Sequence, residues 1–119
     1  MTLDVAHLKI LADSVTDHHK HIEIAKLNSR YFVKLAINDR PYPWHVHPNS
    51  DEVLIVLEGE LEIETRDGET SKLGPSDAIH IPKDVAHRTT PLGRAVNLVI
   101  EDIDTETVFL DLPGNLDTH

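Results

Sequence analysis

The chain has 119 residues, 39% of them apolar and 27% charged, a composition and length typical of one globular domain covering residues 1–119. Its 21 acidic and 11 basic side chains give a formal net charge of −10 with histidine neutral. Such a surface repels phosphate backbones and anionic lipids, so we expect no nucleic-acid partner and no membrane partner. Cysteine is absent, which excludes disulfides and leaves any metal to imidazole and carboxylate ligands.

The beginning of the chain carries no recognisable targeting signal. A basic start followed by an apolar segment is lacking, and no apolar run approaches the roughly 18–20 residues that cross a bilayer. We therefore expect a cytoplasmic protein. Apolar side chains between residues 3 and 15 are spaced in a way that loosely suits a short helix. The cluster of His18, His19 and His21 that follows is expected to lie in a solvated connection.

The rest of the chain is divided into short β-rich runs separated by proline, glycine, asparagine and aspartate. The run 60–65 alternates strictly, with Leu61 and Ile63 expected to face inward. Asp67-Gly68 after it indicates a hairpin turn whose residues take positive φ angles. Many short strands at this spacing predict an all-β sandwich or barrel, with its core over about 31–110. The predicted strands are 31–37, 52–57, 60–65, 78–81, 95–103 and 107–110.

The run 53–57 is apolar on both faces. One face can line the barrel interior, with Leu54 and Val56 sharing the parity of Glu52. The other face must also be covered, either by the N-terminal segment or by a second subunit. We therefore expect a homodimer.

Histidine and glutamate are spaced like metal ligands in the segment 44–52. His45 and His47 are two residues apart, so both imidazoles project from the same face of a strand. A turn at 48–50 can bring the Glu52 carboxylate back to the space that they share. Imidazole nitrogens with a carboxylate oxygen suit a divalent transition metal. His87, after a turn that begins at Pro82, could add an imidazole from another strand.

The full spacing reads His45-x-His47, four residues, Glu52, six residues, Gly59, and later Pro82, four residues, His87. It resembles the two sequence motifs of the cupin superfamily, and the resemblance covers about residues 31–103. A cupin would fold as a double-stranded β-helix, or jelly-roll, barrel with a metal inside. The resemblance implies four protein ligands: His45, His47, Glu52 and His87.

A few turn positions depart from the family pattern. Asp39, Ser76 and Asp84 stand where the motifs often have glycine, and Pro91 replaces a frequent asparagine. Aspartate tolerates the left-handed backbone conformation better than most residues. The departures therefore leave the four ligand positions intact.

The chain is most similar in general pattern to small stand-alone bacterial cupins, many of them labelled mannose-6-phosphate isomerase-like. A phosphate substrate would need a basic pocket, which this acidic sequence does not show. The resemblance implies a metal-dependent enzyme acting on a small organic molecule, of the oxygenase or the isomerase and lyase type. The alternative is a non-catalytic module that binds or senses a metal or small ligand. The ligand set leaves the metal open among iron, manganese, nickel, copper and zinc, and no catalytic acid or base is identified.

Other residues could lie near such a site. Tyr31, Tyr42 and Trp44 are candidates for the barrel mouth, although packing in the core or against a partner explains them as well. His80 lies within a predicted strand and could support the site from behind. A satisfied core or interface histidine is the commoner outcome, so His80 is not included among the site residues.

Overall fold

The computed structural model describes residues 2–112 and contains one helix and ten strands over that range. Residues 113–119, the last part of the predicted single domain, lie outside the described residues. The elements, in chain order, are α1 (Leu8–Asp13), β1 (His19–Leu27), β2 (Tyr31–Asn38), β3 (Tyr42–Val46), β4 (Glu52–Glu58), β5 (Leu61–Thr65), β6 (Thr70–Leu73), β7 (Ala78–Ile81), β8 (His87–Pro91), β9 (Ala95–Asp102) and β10 (Val108–Phe109).

The strands form two antiparallel sheets of five strands each. The first sheet has the order β1-β2-β9-β4-β7, and the second has the order β10-β3-β8-β5-β6. Strands that are distant in sequence therefore become neighbours, as in β2 with β9 and β3 with β8. This is the double-stranded β-helix that the sequence predicts, and the all-β jelly-roll expectation is confirmed.

Apolar side chains of both sheets meet in one core between them. Leu54 and Val56 of β4 point inward, as their shared parity with Glu52 predicts, and they pack with Leu61 and Ile63 of β5. All four are at most 5% exposed. Burial of each such side chain contributes about 1.5–3 kcal/mol, so this core is what fixes β4 and β5 in place.

The helix α1 covers part of the outer face of the first sheet. Ala12 is fully buried there and packs with Leu35, Ile37 and the half-buried Leu57. The N-terminal segment thus covers one end of the outward face of the run 53–57. A second subunit over the rest of that face stays a prediction. No helix among residues 2–112 is long and apolar enough to span a membrane.

The helix is shorter than the apolar spacing over 3–15 suggests. Its N-cap is His7, which makes no side-chain capping bond. Without such a cap, the backbone N–H groups of the first helical turn have no side-chain acceptor. Extension of the helix to residues before Leu8 would therefore add little stability. The predicted helix therefore exists, but only over Leu8–Asp13.

His18, His19 and His21 are all exposed, as the expectation of a solvated segment requires, but two of them lie in a strand rather than in a connection. His19 and His21 belong to β1, an edge strand that pairs with β2 in the register His19↔Asn38 and His21↔Ala36. Only His18 precedes the strand, where its Nδ1 lies 3.0 Å from Asp39 Oδ1. Ile22, Glu23 and Ile24 do alternate, but this alternation is short and follows a polar histidine-rich stretch. Pairing with β2 along its length stabilises the strand.

The hairpin at Asp67-Gly68 forms with a different turn geometry. Only Gly68 has a positive φ, +88°, whereas Asp67 does not. The Gly68 N–H bonds Thr65 O at 3.0 Å and the Thr65 N–H bonds Glu69 O at 3.0 Å. A type I turn followed by a glycine in the left-handed region is the usual geometry of a three-residue hairpin loop. Ser76 (φ +73°) and Asp84 (φ +66°) take the same conformation, which agrees with their standing at glycine positions.

Gly59, between β4 and β5, is required by a close approach of two backbones. It has φ +76°, and a Cβ there would lie 2.3 Å from Arg94 O and 3.0 Å from Ala95 Cα. Backbone atoms of β9 and its preceding turn cannot move away without disturbing the sheet. The glycine therefore permits the contact that sets β4 beside β9.

We expect Gly59→Ala to destabilise the protein much more than Gly93→Ala. Gly93 has a similar φ of +78° but nothing within 4 Å of a built Cβ, so its substitution carries only the conformational cost of about 1–2 kcal/mol. Gly59→Ala adds the backbone clash and should cost more than about 3 kcal/mol. Urea unfolding of both variants measures the difference. Equal losses of unfolding free energy in the two variants would show that the close backbone contact at Gly59 does not contribute to stability.

Candidate metal centre

The four residues of the predicted ligand set converge between the two sheets. His45 lies in β3 and His47 directly after it, Glu52 begins β4, and His87 begins β8. The β3–β8 register places His45 opposite His87. All four are buried, with exposures from 1% at His87 to 9% at Glu52. The structure therefore brings together every residue that the motif spacing singles out.

Each of the three imidazoles is held by a backbone carbonyl. Nδ1 lies 2.8 Å from Pro43 O in His45, 3.0 Å from Glu106 O in His47 and 2.9 Å from Val85 O in His87. A carbonyl can only accept, so Nδ1 carries the proton and donates it. The lone pair of the neutral ring then lies on Nε2, the usual arrangement for a histidine that binds a metal.

The Nε2 atoms face one another and the Glu52 carboxylate. His47 Nε2 lies 3.6 Å from Glu52 Oε2, and His87 Nε2 lies 3.4 Å from Glu52 Oε1. Ligand atoms of the three histidines all lie within 4.8 Å of one another. His87 Nε2 is buried and has no hydrogen-bond partner, which costs a protein about 1–3 kcal/mol. A divalent transition metal fits this donor set and would satisfy the unpartnered nitrogen.

Electrostatics keep the carboxylate charged and one imidazole neutral. Burial alone would raise the pKa of Glu52, but His47 and His87 beside it hold that pKa well below its ordinary value. Burial, together with His87, lowers the pKa of His45 to about 4. At His47, burial is outweighed by Glu52 and the Glu106 carbonyl, so its pKa is raised. Near neutral pH the site thus offers an anionic oxygen and a neutral His45, the forms that bind metals.

A cavity of about 270 Å³ connects this cluster with solvent. Tyr42 lines it, as expected for the barrel mouth, and its ring meets His45 edge-on at 4.8 Å. Trp44 is instead buried beneath the Arg88 guanidinium, and Tyr31 is exposed away from the cavity. His80 is also outside the site, since its Nε2 bonds Asp51 Oδ2 at 2.7 Å on the surface.

Sequence reasoning missed a second carboxylate in the cavity. Glu101 of β9 pairs across the sheet with Glu52, and it forms a group within 4.8 Å with ligand atoms of His47 and Glu52. Lys34 Nζ lies 3.3 Å from Glu101 Oε1. Burial and Glu52 raise the pKa of Glu101, and Lys34 only partly offsets them. Glu101 is brought to the site by the pairing of β4 with β9. The register of two strands distant in the chain cannot be read from a single sequence.

The wall contributed by β1 was missed as well. His19 and His21 line the cavity mouth, where their rings lie 4.9 Å apart and His19 stacks on Tyr42 at 5.3 Å. Partial burial against the cavity wall, with His19 and Lys34 nearby, lowers the pKa of His21 to about 4. The high histidine count was a signal for these residues, but it could not place them at the same cavity as His45, His47 and His87.

Comparisons with known proteins agree on one family. The model of the family described as Cupin domain matches residues 31–101. An uncharacterized protein of Bacillus subtilis (strain 168), YdbB, is 42% identical over 105 residues, which are 88% of this chain and 92% of the relative. The crystal structure of a cupin-2 domain containing protein from Shewanella frigidimarina NCIMB 400 superposes with a TM-score of 0.77 at 31% identity, covering 82% of this chain and 94% of that one.

A more distant neighbour shows the fold alone. The structure of the DMSP lyase DddQ from Ruegeria pomeroyi DSS-3 superposes with a TM-score of 0.67 at 20% identity. The match covers 85% of this chain and 56% of that one.

We predict that His87→Ala and Glu52→Gln abolish stoichiometric metal binding while the barrel still folds. Loss of a ligand should weaken binding by more than the 10–100-fold typical of an outer-shell change. Elemental analysis after dialysis against Mn²⁺ or Zn²⁺ measures it, with circular dichroism as the test of folding. His80→Ala is the matched control, since that histidine lies on the surface. Unchanged metal content in both site variants would refute the ligand assignment.

The metal-free protein should lose stability below about pH 6.5 because of His45. An unfolded chain protonates this histidine near pH 6.5, whereas the folded chain does so only near pH 4. The stability contributed by the neutral ring is therefore present above pH 6.5 and declines, by up to about 3 kcal/mol, as the pH falls toward 4. In His45→Asn, the unfolding free energy from urea titrations should fall less steeply over this interval. Equal slopes would contradict the lowered pKa.

Proposed function

The chain belongs to the cupin family, and we propose that it is a metal-dependent enzyme that transfers protons on a small organic molecule, in an isomerase or lyase reaction. The observation that carries the proposal is the composition of the cavity wall. Groups that exchange protons line the same cavity as the imidazole cluster. The cavity volume of about 270 Å³ is large enough for a small metabolite and lies below the roughly 300–1,000 Å³ of pockets for drug-sized ligands.

The proposed metal site consists of His45, His47, Glu52 and His87. The bound ion, which we take to be iron, manganese, nickel or zinc, would act as a Lewis acid that polarises a substrate carbonyl or hydroxyl oxygen. The three Nδ1–H···O=C bonds hold the imidazole planes fixed before any ligand enters. This preorganisation matters because the rings then need no rearrangement when charge develops on the substrate.

Three residues on the cavity wall supply proton transfer. Burial raises the pKa of Glu101, as does Glu52, so this carboxyl holds a proton more readily than an exposed glutamate and can exchange it with a substrate. Burial and the two carboxylates raise the pKa of Tyr42, so its phenol remains a neutral donor. His21 is unprotonated and accepts. A metal-activated substrate bound between them would have an acid and a base within one cavity.

Apolar residues complete the cavity. Ala36, Leu54 and Val99 line it between the polar groups and belong to the core between the sheets. Their contact with a bound substrate would displace water from the reacting atoms, which strengthens electrostatic interactions with the substrate. One structural neighbour of this chain is named as a lyase, so the fold accommodates that class of reaction in at least one protein.

Proton abstraction predicts exchange of substrate hydrogen with solvent. We expect the metal-loaded protein to replace carbon-bound hydrogen next to a carbonyl by deuterium when a panel of small oxo and hydroxy compounds is incubated in D₂O. Proton NMR of the panel measures the loss of signal. His87→Ala should show no exchange above background, and Glu101→Gln should reduce the rate by about 10²–10⁴-fold, the usual contribution of general acid–base catalysis.

Other outcomes of the same experiment decide between reaction classes. Oxygen consumption without hydrogen exchange, followed with an oxygen electrode, would contradict the proton-transfer proposal and identify an oxygenase. Metal and ligand binding with neither exchange nor oxygen consumption would identify a non-catalytic binding or sensing module.

A further inference from the structure

Lys34 introduces a positive charge into a cavity otherwise lined by imidazoles, carboxylates and neutral groups. It is the one lysine or arginine among the described residues that line the cavity. It stands on β2, where Lys34, Ala36 and Asn38 alternate toward the interior. Its side chain is only 23% exposed, which is unusual because lysine is rarely buried without a specific partner.

The Lys34 ammonium group retains hydrogen-bonding capacity. Its Nζ donates to Glu101 Oε1 at 3.3 Å, longer than the roughly 2.7–2.9 Å of a tight charge-assisted bond. The ring centroid of Phe32 lies 4.5 Å from the same Nζ, a cation–π contact that favours this position of the ammonium group. An ammonium has three donors, so one loose bond to Glu101 leaves donors for a ligand in the cavity.

The charges in the cavity define which ligand suits it. With both carboxyl groups ionised, Glu52 and Glu101 carry two negative charges, Lys34 carries one positive charge, and a divalent ion at the proposed metal site would add two. One positive charge then remains without a partner in a partly enclosed space. An unpaired charge in such a space is costly, and a ligand with a single negative charge removes it. The net charge of −10 on the whole chain does not provide this selection, since exposed charges are screened beyond about 8–10 Å.

We propose that Lys34 makes the site specific for small monocarboxylates that carry a further carbonyl or hydroxyl oxygen. The carboxylate would bind the ammonium of Lys34, and the second oxygen would face the proposed metal site. Glu101 stands between the two, 3.3 Å from Lys34 and within 4.8 Å of ligand atoms of His47 and Glu52, so a molecule of a few carbon atoms spans them. This assignment rests on the proposed function, because it names the substrate class of that same cavity.

The test compares acids with their neutral amides. Isothermal titration of Mn²⁺-loaded protein measures the binding of pyruvate against pyruvamide and of lactate against lactamide. We expect wild-type protein to bind at least one acid more tightly than its amide, by about tenfold or more. A difference of this size is typical of a hydrogen bond to a charged group. Lys34→Met should remove this preference, and Lys34→Arg should retain it. Lys72→Met, an exposed lysine of β6, is the matched control and should bind like wild type.

The outcomes separate this proposal from the one it rests on. Mn²⁺ binding is titrated first, so a wild-type protein that takes up no metal refutes the metal site itself. Metal uptake with equal affinity for acids and amides overturns the role of Lys34 alone, as does an acid preference that persists in Lys34→Met. If Lys34→Met does not fold, the same acid and amide titrations are made on Glu101→Gln. Loss of the carboxylate that competes for Lys34 should strengthen the preference for acids. An unchanged or weaker preference would contradict the proposal.

Discussion

The buried carboxylate of Glu52 is the constraint on which the rest of the site depends. It begins a core strand, is 9% exposed and faces the Nε2 atoms of His47 and His87. A charge in such a place is stable only with opposite charge or hydrogen-bond donors around it. The interior of this barrel therefore contains a polar centre at one end of β4. The apolar core of Leu54, Val56 and their neighbours begins next to that centre and continues along the strand.

The motif region of the sequence was sufficient to predict the barrel and the four residues that converge. Strand parity placed His45 beside His47 and set Leu54 inward, because both inferences depend only on neighbouring positions. Glu101 and β1 could not be predicted in this way. Glu101 reaches the site through the register Glu52↔Glu101 between strands that are distant in the chain. The alternation in β1 covers only Ile22, Glu23 and Ile24, and its pairing with β2 sets the extent of the strand.

The two walls of the cavity divide the chemistry between them. The three imidazoles lie on or beside β3 and β8, on segments that carry the family motifs, and each is bonded to a backbone carbonyl. Glu52 faces them from β4 of the other sheet. The other side, formed by His21, Lys34 and Glu101 on β1, β2 and β9, lies outside those motifs. A fold shared by many functions can vary its substrate on that second wall while keeping the motif residues unchanged.

X-ray absorption spectroscopy of protein prepared without an affinity tag and without added metal would show whether His45, His47, Glu52 and His87 hold a metal ion. The absorption edge identifies the element, and the fine structure counts its neighbours. We expect a divalent transition metal with imidazole scattering from three histidines and oxygen at about 2.0–2.2 Å. A metal surrounded by oxygen alone, or no metal even after incubation with each candidate ion, would contradict the account.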